Sequence, residues 1–282
     1  MSRTTDISPL SVLLSRVDSA ADGSPLGDAV GSGFPSIDKI LGGGLRRGDL
    51  VVLGGDVGSG KSALALAIAL RAASAHRTLF LSGEMPPERI HERALAIEGR
   101  ATIDELRLGK LDDVTRASVG AAAVRLRESL PIVDRIPADG VAGVSAILLE
   151  MPGIELVVID CLQSLATRPD PVADQLAVAV NSLKGLALDR RVAILTTAQL
   201  SPLSDRADRR PTLDDFGVLG AVKHQADVVL ALYREEMYDS ALDIAGATEL
   251  LVRKNRNGGI GYVDLYFYSR WLRFEDMLDP DR

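Results

Sequence analysis

The sequence predicts an α/β fold, in which a mostly parallel β-sheet is covered by helices on both faces and extended by an antiparallel hairpin. From Asp49 onward, short apolar segments typical of buried strands alternate with helical segments. Towards the C-terminal end, two strand-like segments flank residues 257–259, whose sequence Asn-Gly-Gly strongly indicates a hairpin turn. These two patterns predict the parallel core and its antiparallel extension.

The predicted elements follow one another in a regular order. Strands of the parallel core are predicted at residues 50–53, 78–81, 132–136, 156–159 and 192–196. Helices between them are predicted at residues 61–75, 87–98, about 113–130 and 172–189. Later strands are predicted at residues 228–233, 249–253 and 262–267. We expect Gly99 to occupy the C-cap of the second helix, and Asp112 and Asp113 to cap the third.

The composition is that of a globular protein. Of the 282 residues, 46% are hydrophobic and 25% are charged, which excludes disordered and membrane-embedded classes. The longest apolar run, residues 63–70, is too short to cross a bilayer, and the first residues lack the pattern of a secretory signal. Cys161 is the only cysteine, which excludes an internal disulfide. We therefore expect a cytoplasmic protein without membrane contact.

The chain divides into an N-terminal segment, residues 1–32, and one domain, residues 33–282. The segment is polar except for residues 10–17, whose apolar positions form a short helical stripe. Such a helix either packs on its own domain or docks on a neighbouring subunit, because a short isolated helix is marginally stable. The net charge of −7 argues against non-specific nucleic-acid binding by bulk charge, but it leaves room for a local basic strip.

A phosphate-binding loop is the clearest functional signal. Residues 55–62 fit the pattern G-x-x-x-x-G-K-[ST], directly after a strand and before a helix. Backbone N–H groups of such a loop surround a phosphate, its lysine pairs with β- and γ-phosphate oxygens, and its serine ligates Mg²⁺. We therefore predict ATP and Mg²⁺ as ligands. The predicted binding residues are Gly55, Asp56, Val57, Gly58, Ser59, Gly60, Lys61, Ser62 and Ala63.

Carboxylate and amide side chains follow three other predicted strands. Asp160 ends an apolar strand, where a carboxylate reaches the water shell of Mg²⁺. Glu84 follows another strand; it could polarise the attacking water, or it could serve as the N-terminal charge of the next helix. Gln199 could hydrogen-bond the γ-phosphate, or it could be a polar strand end.

Two basic residues precede the hairpin turn. Lys254 and Arg256 could form a solvated surface at the tip of the hairpin. They could also reach the γ-phosphate of a neighbouring subunit and neutralise charge in the transition state. The residues by themselves leave both interpretations open.

Taken together, these motifs resemble the RecA-like ATPase domain of DnaB-type replicative helicases, the hexameric helicases of superfamily 4. The resemblance covers residues 33–275 approximately. The matching strings are residues 33–38, 42–45, 55–62, 82–86, 158–163, 198–200, 225–227 and 253–258 with the hairpin. Residues 42–55 also resemble the RadA branch of the same superfamily.

The resemblance implies a RecA-like fold, ATP bound at each subunit boundary, and a homo-oligomeric ring, usually of six subunits. By matching position, Lys61 and Ser62 hold phosphate and Mg²⁺, Glu84 is the catalytic base, Asp160 is the Walker B acid and Gln199 is the sensor. Lys254 and Arg256 are the fingers donated in trans. Loops at about residues 167–174 and 201–220 hold single-stranded DNA in the pore. A loader or a primase is an implied partner.

Three departures from the family pattern bear on function. Only about 30 residues precede the match, so the family's N-terminal helical domain is not expected here. The Arg-Glu pair common in the second pore loop is replaced by Gly217 and Val218, although Arg206, Arg209, Arg210 and Lys223 could compensate. The usual aromatic residue after Asp160 is Cys161. We expect an ATP-dependent DNA helicase or translocase; the alternative is a non-translocating regulatory or recombination ATPase.

Overall fold

The computed structural model describes residues 11, 14, 17, 18, 27–166, 171–200, 203, 206–239 and 244–277. A small two-stranded sheet comes first, formed by β1 (Ala29–Val30) and β2 (Leu45–Arg46). The main sheet consists of β3 (Leu50–Gly55), β4 (Thr78–Ser82), β5 (Ile132–Arg135), β6 (Leu156–Asp160), β7 (Ala193–Gln199), β8 (Val228–Tyr233), β9 (Ala247–Asn255), β10 (Gly261–Tyr268) and β11 (Arg273–Asp276). None of the described helices is long and apolar enough to cross a membrane.

The order of strands in the main sheet is β11-β10-β9-β8-β3-β7-β6-β4-β5. All neighbours from β8 to β5 pair in parallel, and all neighbours from β8 to β11 pair antiparallel. The carboxyl ends of the six parallel strands therefore lie at one edge of the sheet, which we call the loop edge. The opposite edge, where these strands begin, we call the finger edge. The prediction of a parallel core with an antiparallel extension is confirmed.

Helices cover both faces of the sheet. They are α1 (Pro35–Leu41), α2 (Lys61–Ala72), α3 (Pro87–Gly99), α4 (Ile103–Leu108), α5 (Asp113–Ser129), α6 (Val141–Glu150), α7 (Val172–Arg190) and α8 (Ala221–Gln225). One apolar core joins α2 and α3 to one face, and a second joins α6 and α7 to the other. In β3, Val51 and Leu53 point into the first core, whereas Leu50 and Val52 point into the second. This alternation explains why a strand buried on both faces is apolar throughout.

The C-terminal end of α3 differs from the prediction. Gly99 is the last residue of the helix, and the C-cap is Arg100, whose φ of 53° lies in the left-handed region. A Cβ atom on Gly99 would lie 2.9 Å from Cγ2 of Val119 in α5. The prediction of Gly99 as the C-cap was therefore wrong, because this glycine serves the close approach of two helices.

The predicted N-terminal helix lies mostly outside the described residues. Ser11, Leu14, Val17 and Asp18 are helical, and Leu14 and Val17 expose 54% and 63% of their surface. These two apolar side chains are therefore not buried against the domain. In the first predicted DNA-binding loop, residues 167–170 also lie outside the described residues. The second loop is described only at residue 203 and from residue 206 onward.

Candidate functional site

A glycine-rich loop connects β3 to α2 at the loop edge. Gly60 immediately precedes α2 with a φ of 100°, a backbone conformation that glycine adopts without a steric cost. A Cβ atom at this position would also lie 2.9 Å from the ring of Phe274. The loop therefore needs glycine here, both for its turn and for its contact with β11. In general, such a loop places backbone N–H groups beside the N-terminus of the following helix, and this arrangement suits an anion.

Lys61 folds back over this loop. Its side chain is largely buried, and Nζ donates a hydrogen bond of 2.8 Å to the backbone carbonyl of Asp56. Burial lowers the pKa of Lys61, while the nearby charges of Asp160 and Asp56 act in the opposite direction. A buried ammonium group with only a carbonyl bond in the described structure is suited to receiving an anionic ligand.

Ser62 and Asp160 meet across the loop edge. Asp160 Oδ1 accepts hydrogen bonds from Ser62 Oγ at 3.0 Å and from Thr197 Oγ1 at 2.6 Å. Asp160 is only 3% exposed, and burial raises its pKa. Two buried oxygen atoms of the site, Asp160 Oδ2 and Ser59 Oγ, have no hydrogen-bond partner among the described residues. An unpaired buried carboxylate oxygen beside a hydroxyl group fits a hard divalent cation.

The cation would need further ligands from outside this group. Within the described part of the chain, no cluster of three or more His, Cys, Asp or Glu side chains could hold a metal ion. Mg²⁺ in phosphate sites is commonly bound by one or two protein groups together with phosphate oxygens and water. Ser62 and Asp160 therefore fit Mg²⁺ that arrives with a nucleotide.

Glu84 and Gln199 also meet at the loop edge. Gln199 Nε2 and Cys161 Sγ each lie 3.4 Å from Glu84 Oε1 and donate towards it. Burial is the main cause that raises the pKa of Cys161, so this thiol stays protonated as a donor at neutral pH. Gln163 fixes the backbone of Gln199, since its side chain bonds both the N–H and the carbonyl of that residue. The exposed carboxylate of Glu84 is thus held beside the phosphate loop.

Lys254 and Arg256 do not join this group. Both lie at the finger edge, where Lys254 pairs with Val229 and the backbone N–H of Arg256 bonds to Asp227. Asp227 is level with Leu50, the first residue of β3, because its N–H bonds to the carbonyl of Leu50. The length of β3 therefore separates Arg256 from Gly55, a distance of about 16 Å along the strand. Neither cation can reach the phosphate loop of its own chain.

The structure adds two arginines that the sequence analysis missed. Arg234 directly follows β8, and its Nη1 donates a hydrogen bond of 3.2 Å to the carbonyl of Gly58. Arg93 in α3 acts electrostatically on Asp160. Both line a cavity of about 310 Å³ beside the loop. The position of Arg234 at the end of a parallel strand is the signal that could have identified it.

Comparison with known proteins identifies the family. The family model of the DnaB-like helicase C-terminal domain matches residues 29–276. The chain belongs to this family. The replicative DNA helicase DnaB of Leifsonia xyli subsp. xyli is 31% identical over 264 residues, which are 91% of this chain and 57% of that protein. The replicative DNA helicase DnaC of Bacillus subtilis is 29% identical over 262 residues, 89% of this chain and 58% of that protein. The chain thus spans somewhat over half the length of these relatives.

Solved structures agree on the fold. A solved ATPase domain superposes with a TM-score of 0.88 at 24% identity, and the match covers 97% of this chain and 99% of that one. A DnaB-like replicative helicase, solved with its interactions with primase, gives 0.86 at 24% identity over 96% of this chain and 67% of that one. A KaiC-like protein from Pyrococcus horikoshii gives 0.63 at 16% identity over 89% of this chain and 99% of that one. The RecA-like fold predicted for this DnaB-like domain is therefore confirmed.

Proposed function

We propose that this chain is the motor of an ATP-dependent DNA helicase, an Mg²⁺-dependent ATPase that works as a homo-oligomeric ring in the cytoplasm and moves on single-stranded DNA. Family membership supports this proposal. The observation that carries it is the contact of Ser62 with Asp160, beside a glycine-rich loop and two buried oxygens that lack partners in the described structure. These groups offer what a nucleotide and its cation need.

The loop residues from Gly55 to Ala63 would bind the triphosphate of ATP. Lys61 would exchange its bond to the Asp56 carbonyl for phosphate oxygens, because a charge-assisted bond to phosphate is the stronger one. Mg²⁺, held by Ser62 and Asp160, would supply positive charge to the phosphate oxygens. Bound Mg²⁺ would give the buried Oδ2 of Asp160 a partner and so remove the free-energy cost of leaving it unpaired.

Glu84 would accept a proton from the attacking water. Its carboxylate is exposed, and among the described residues the bonds from Cys161 and Gln199 both go to Oε1 and leave Oε2 without a partner. The other oxygen is available to a water molecule beside the γ-phosphate. Gln199 would sense the γ-phosphate, and its bond to Glu84 links the sensor to the base. This arrangement favours the catalytic interpretation of Glu84 over that of a helix N-terminal charge.

The site would be completed by a neighbouring subunit. Lys254 and Arg256 lie too far from their own phosphate loop, so we assign them to the loop of the adjacent copy. Such an arrangement uses two different surfaces of each subunit, and this heterologous contact closes into a ring when the rotation between neighbours fits. We propose a hexamer. The exposed Leu14 and Val17 support docking of the N-terminal helix on a neighbouring subunit.

Single-stranded DNA would lie in the pore against residues 167–174 and 201–220. Basic residues in the second loop and in α8 directly after it are engaged within the chain. Arg206 pairs with Asp215 at 2.9 Å, Lys223 pairs with Asp214 at 2.8 Å, and Arg210 pairs with Glu249 at 2.5 Å. These pairs reduce the positive field available to phosphates.

The same pairs favour a second candidate function, a regulatory or recombination ATPase that does not translocate. In that case the nucleotide state would gate binding of a partner, such as a loader or a primase. The two functions differ in how DNA affects hydrolysis. A motor couples ATP hydrolysis to movement on DNA, so DNA should stimulate its turnover. A switch does not require DNA for turnover.

The proposal is tested by measuring phosphate release with and without single-stranded DNA over a range of salt concentrations. For the motor, DNA stimulates hydrolysis, and the DNA affinity falls steeply with salt. Arg256→Ala is expected to stop hydrolysis while ATP binding is retained. ATP binding without any DNA effect would favour the switch. Absence of nucleotide binding in calorimetry would overturn both functions.

A further inference from the structure

A buried carboxylate organises the finger edge. The side chain of Asp227, at the start of β8, is 6% exposed. Its Oδ2 accepts hydrogen bonds from the backbone N–H of Leu50 at 2.8 Å and from Lys184 Nζ at 2.6 Å. Its Oδ1 accepts a hydrogen bond from Arg256 Nη1 at 3.0 Å. One carboxylate therefore joins the first strand of the core, a lysine of α7 and an arginine next to the hairpin turn.

The contacts of Arg256 with the described residues lie on one side of its guanidinium group. Besides the bond to Asp227, its Nη2 donates a hydrogen bond of 2.6 Å to the carbonyl of His224, at the end of α8. A guanidinium group has five N–H donors in a planar fork. The side chain remains 47% exposed, so its outer edge stays open to an anion while the inner edge is fixed. These contacts orient the guanidinium group of Arg256 and leave it accessible to a ligand.

The second basic residue is attached to the same helix. Lys254 Nζ donates to the carbonyl of Lys223 at 2.8 Å and to that of His224 at 3.3 Å. The helix α8 directly follows residues 201–220, the proposed second DNA-binding loop. Both finger side chains therefore bond to a short helix that continues from that loop.

We propose that Asp227 is a positioning residue for Arg256, which it holds, together with the end of α8, in the orientation that meets the nucleotide of the neighbouring subunit. The inference rests on the proposed function, in which Arg256 acts in trans. A side chain with several rotatable bonds presents its charge at a defined point only when its rotamers are restrained. Misplacement by about 1 Å can cost on the order of 10²-fold in rate.

The first test is Asp227→Asn, which keeps an oxygen to accept from Leu50 N–H but removes the charge that pairs with Arg256. We expect kcat to fall about tenfold or more, with KM for ATP unchanged, because the phosphate loop lies at the other edge. The matched control is Lys184→Gln, which changes the other cation on the same carboxylate without touching Arg256. This control should keep kcat within about twofold of the wild-type value, whereas a merely structural role of the cluster would lower kcat in both variants.

Coupling between the two residues separates positioning from general damage. Any residual kcat that Arg256→Ala leaves should be unchanged when Asp227→Asn is added, because the residue that Asp227 positions is already absent. Mixing Asp227→Asn subunits with Lys61→Ala subunits should restore hydrolysis. In such mixed rings an intact phosphate loop meets an intact Arg256 from the neighbouring copy. Failure of this complementation would mean that Asp227 acts within its own subunit and would overturn the inference.

Failure of the inference can be told apart from failure of the proposed function. If Arg256→Ala hydrolyses ATP at the wild-type rate, the role of Arg256 in trans is wrong. If Arg256→Ala is inactive while Asp227→Asn is folded and fully active, only the inference is wrong.

A structure of the wild-type ring with a transition-state analogue covers the case in which Asp227→Asn does not fold. Arg256 should reach the analogue while its Nη1 stays within about 3.2 Å of Asp227. A guanidinium group that leaves Asp227 in order to reach the nucleotide would overturn the inference.

Discussion

The charged groups at the two edges of the parallel sheet differ in how completely they are hydrogen-bonded. At the loop edge, Asp160 and Ser59 each retain a buried oxygen without a partner in the described structure, and Lys61 bonds only to a carbonyl there. At the finger edge, the two oxygens of Asp227 accept three hydrogen bonds, of which two come from the cations Lys184 and Arg256. The two aspartates are similarly buried.

This contrast is the one we expect if the loop edge receives a ligand and the finger edge presents a side chain to a neighbouring subunit. The groups that we propose to bind phosphate and a cation are incompletely paired in the described structure, at a cost to the stability of the isolated chain. An arginine that acts in trans, by comparison, needs its side chain held in place before the neighbouring subunit binds. Because each edge supplies half of the proposed site, the two halves meet only when two copies of the chain associate.

The largest expected effect concerns the loop edge. Lys61→Ala should lower the rate of ATP hydrolysis by about 10²–10³-fold or more, since it removes a charge aimed at the transferred phosphoryl group. The measurement is phosphate release at saturating ATP and Mg²⁺. Lys110→Ala, at an exposed lysine between α4 and α5, is the control and should behave as wild type. Wild-type turnover by Lys61→Ala would mean that this edge is not the site of hydrolysis.

Glu84→Gln tests whether this carboxylate acts as a base or as a helix charge. As a base, its loss should lower kcat by about 10²–10⁴-fold with nucleotide affinity preserved. If Glu84 serves only as a helix charge, its replacement would lower the free energy of unfolding by about 0.3–1 kcal/mol and leave kcat intact. Single-turnover hydrolysis and thermal unfolding distinguish the two outcomes. Glu88→Gln, in the first turn of α3, is the matched control.

The same substitution at the two aspartates should change stability in opposite directions. Asp160→Asn removes a buried charge with an unpaired oxygen and should raise the free energy of unfolding by about 1 kcal/mol, or a few degrees in Tm, while it reduces Mg²⁺-dependent hydrolysis. Asp227→Asn leaves two cations without their carboxylate and should lower the free energy of unfolding by about 1–3 kcal/mol. Thermal unfolding without nucleotide measures both. A shift of the same sign in both variants would contradict the comparison.

The smallest expected effect concerns Cys161. Cys161→Ala removes one weak hydrogen bond to Glu84, worth about 0.5–1 kcal/mol, and should lower kcat about two- to fivefold. Cys161→Ser keeps a donor and should stay near the wild-type value. The raised pKa of this thiol also predicts slow reaction with a thiol reagent in the folded protein, compared with the unfolded chain. Rapid labelling of the folded chain would show that the thiol is not held in this way.

Sequence reasoning succeeded where the signal is local. The helix α5 is an example, since Asp112 caps it through a bond to the N–H of Thr115, as predicted. The helix α4 was missed although Thr102 and Glu105 form a capping box, because six residues are too few for a clear periodic pattern. Gly99 was misread because a glycine that relieves a contact with Val119 looks the same in sequence as one that ends a helix.

The sequence by itself determined the phosphate loop, the parallel core and the edge at which Asp160, Glu84 and Gln199 gather, because the carboxyl ends of parallel strands necessarily meet. Only the tertiary structure decided that Cys161 contacts Glu84 and that Asp227 joins Lys184 to Arg256. The contact with Arg256 depends on the register of β9 against β8, which shifts between Val229 and Leu230. Such a shift follows from packing across the whole sheet and leaves no local pattern along the chain.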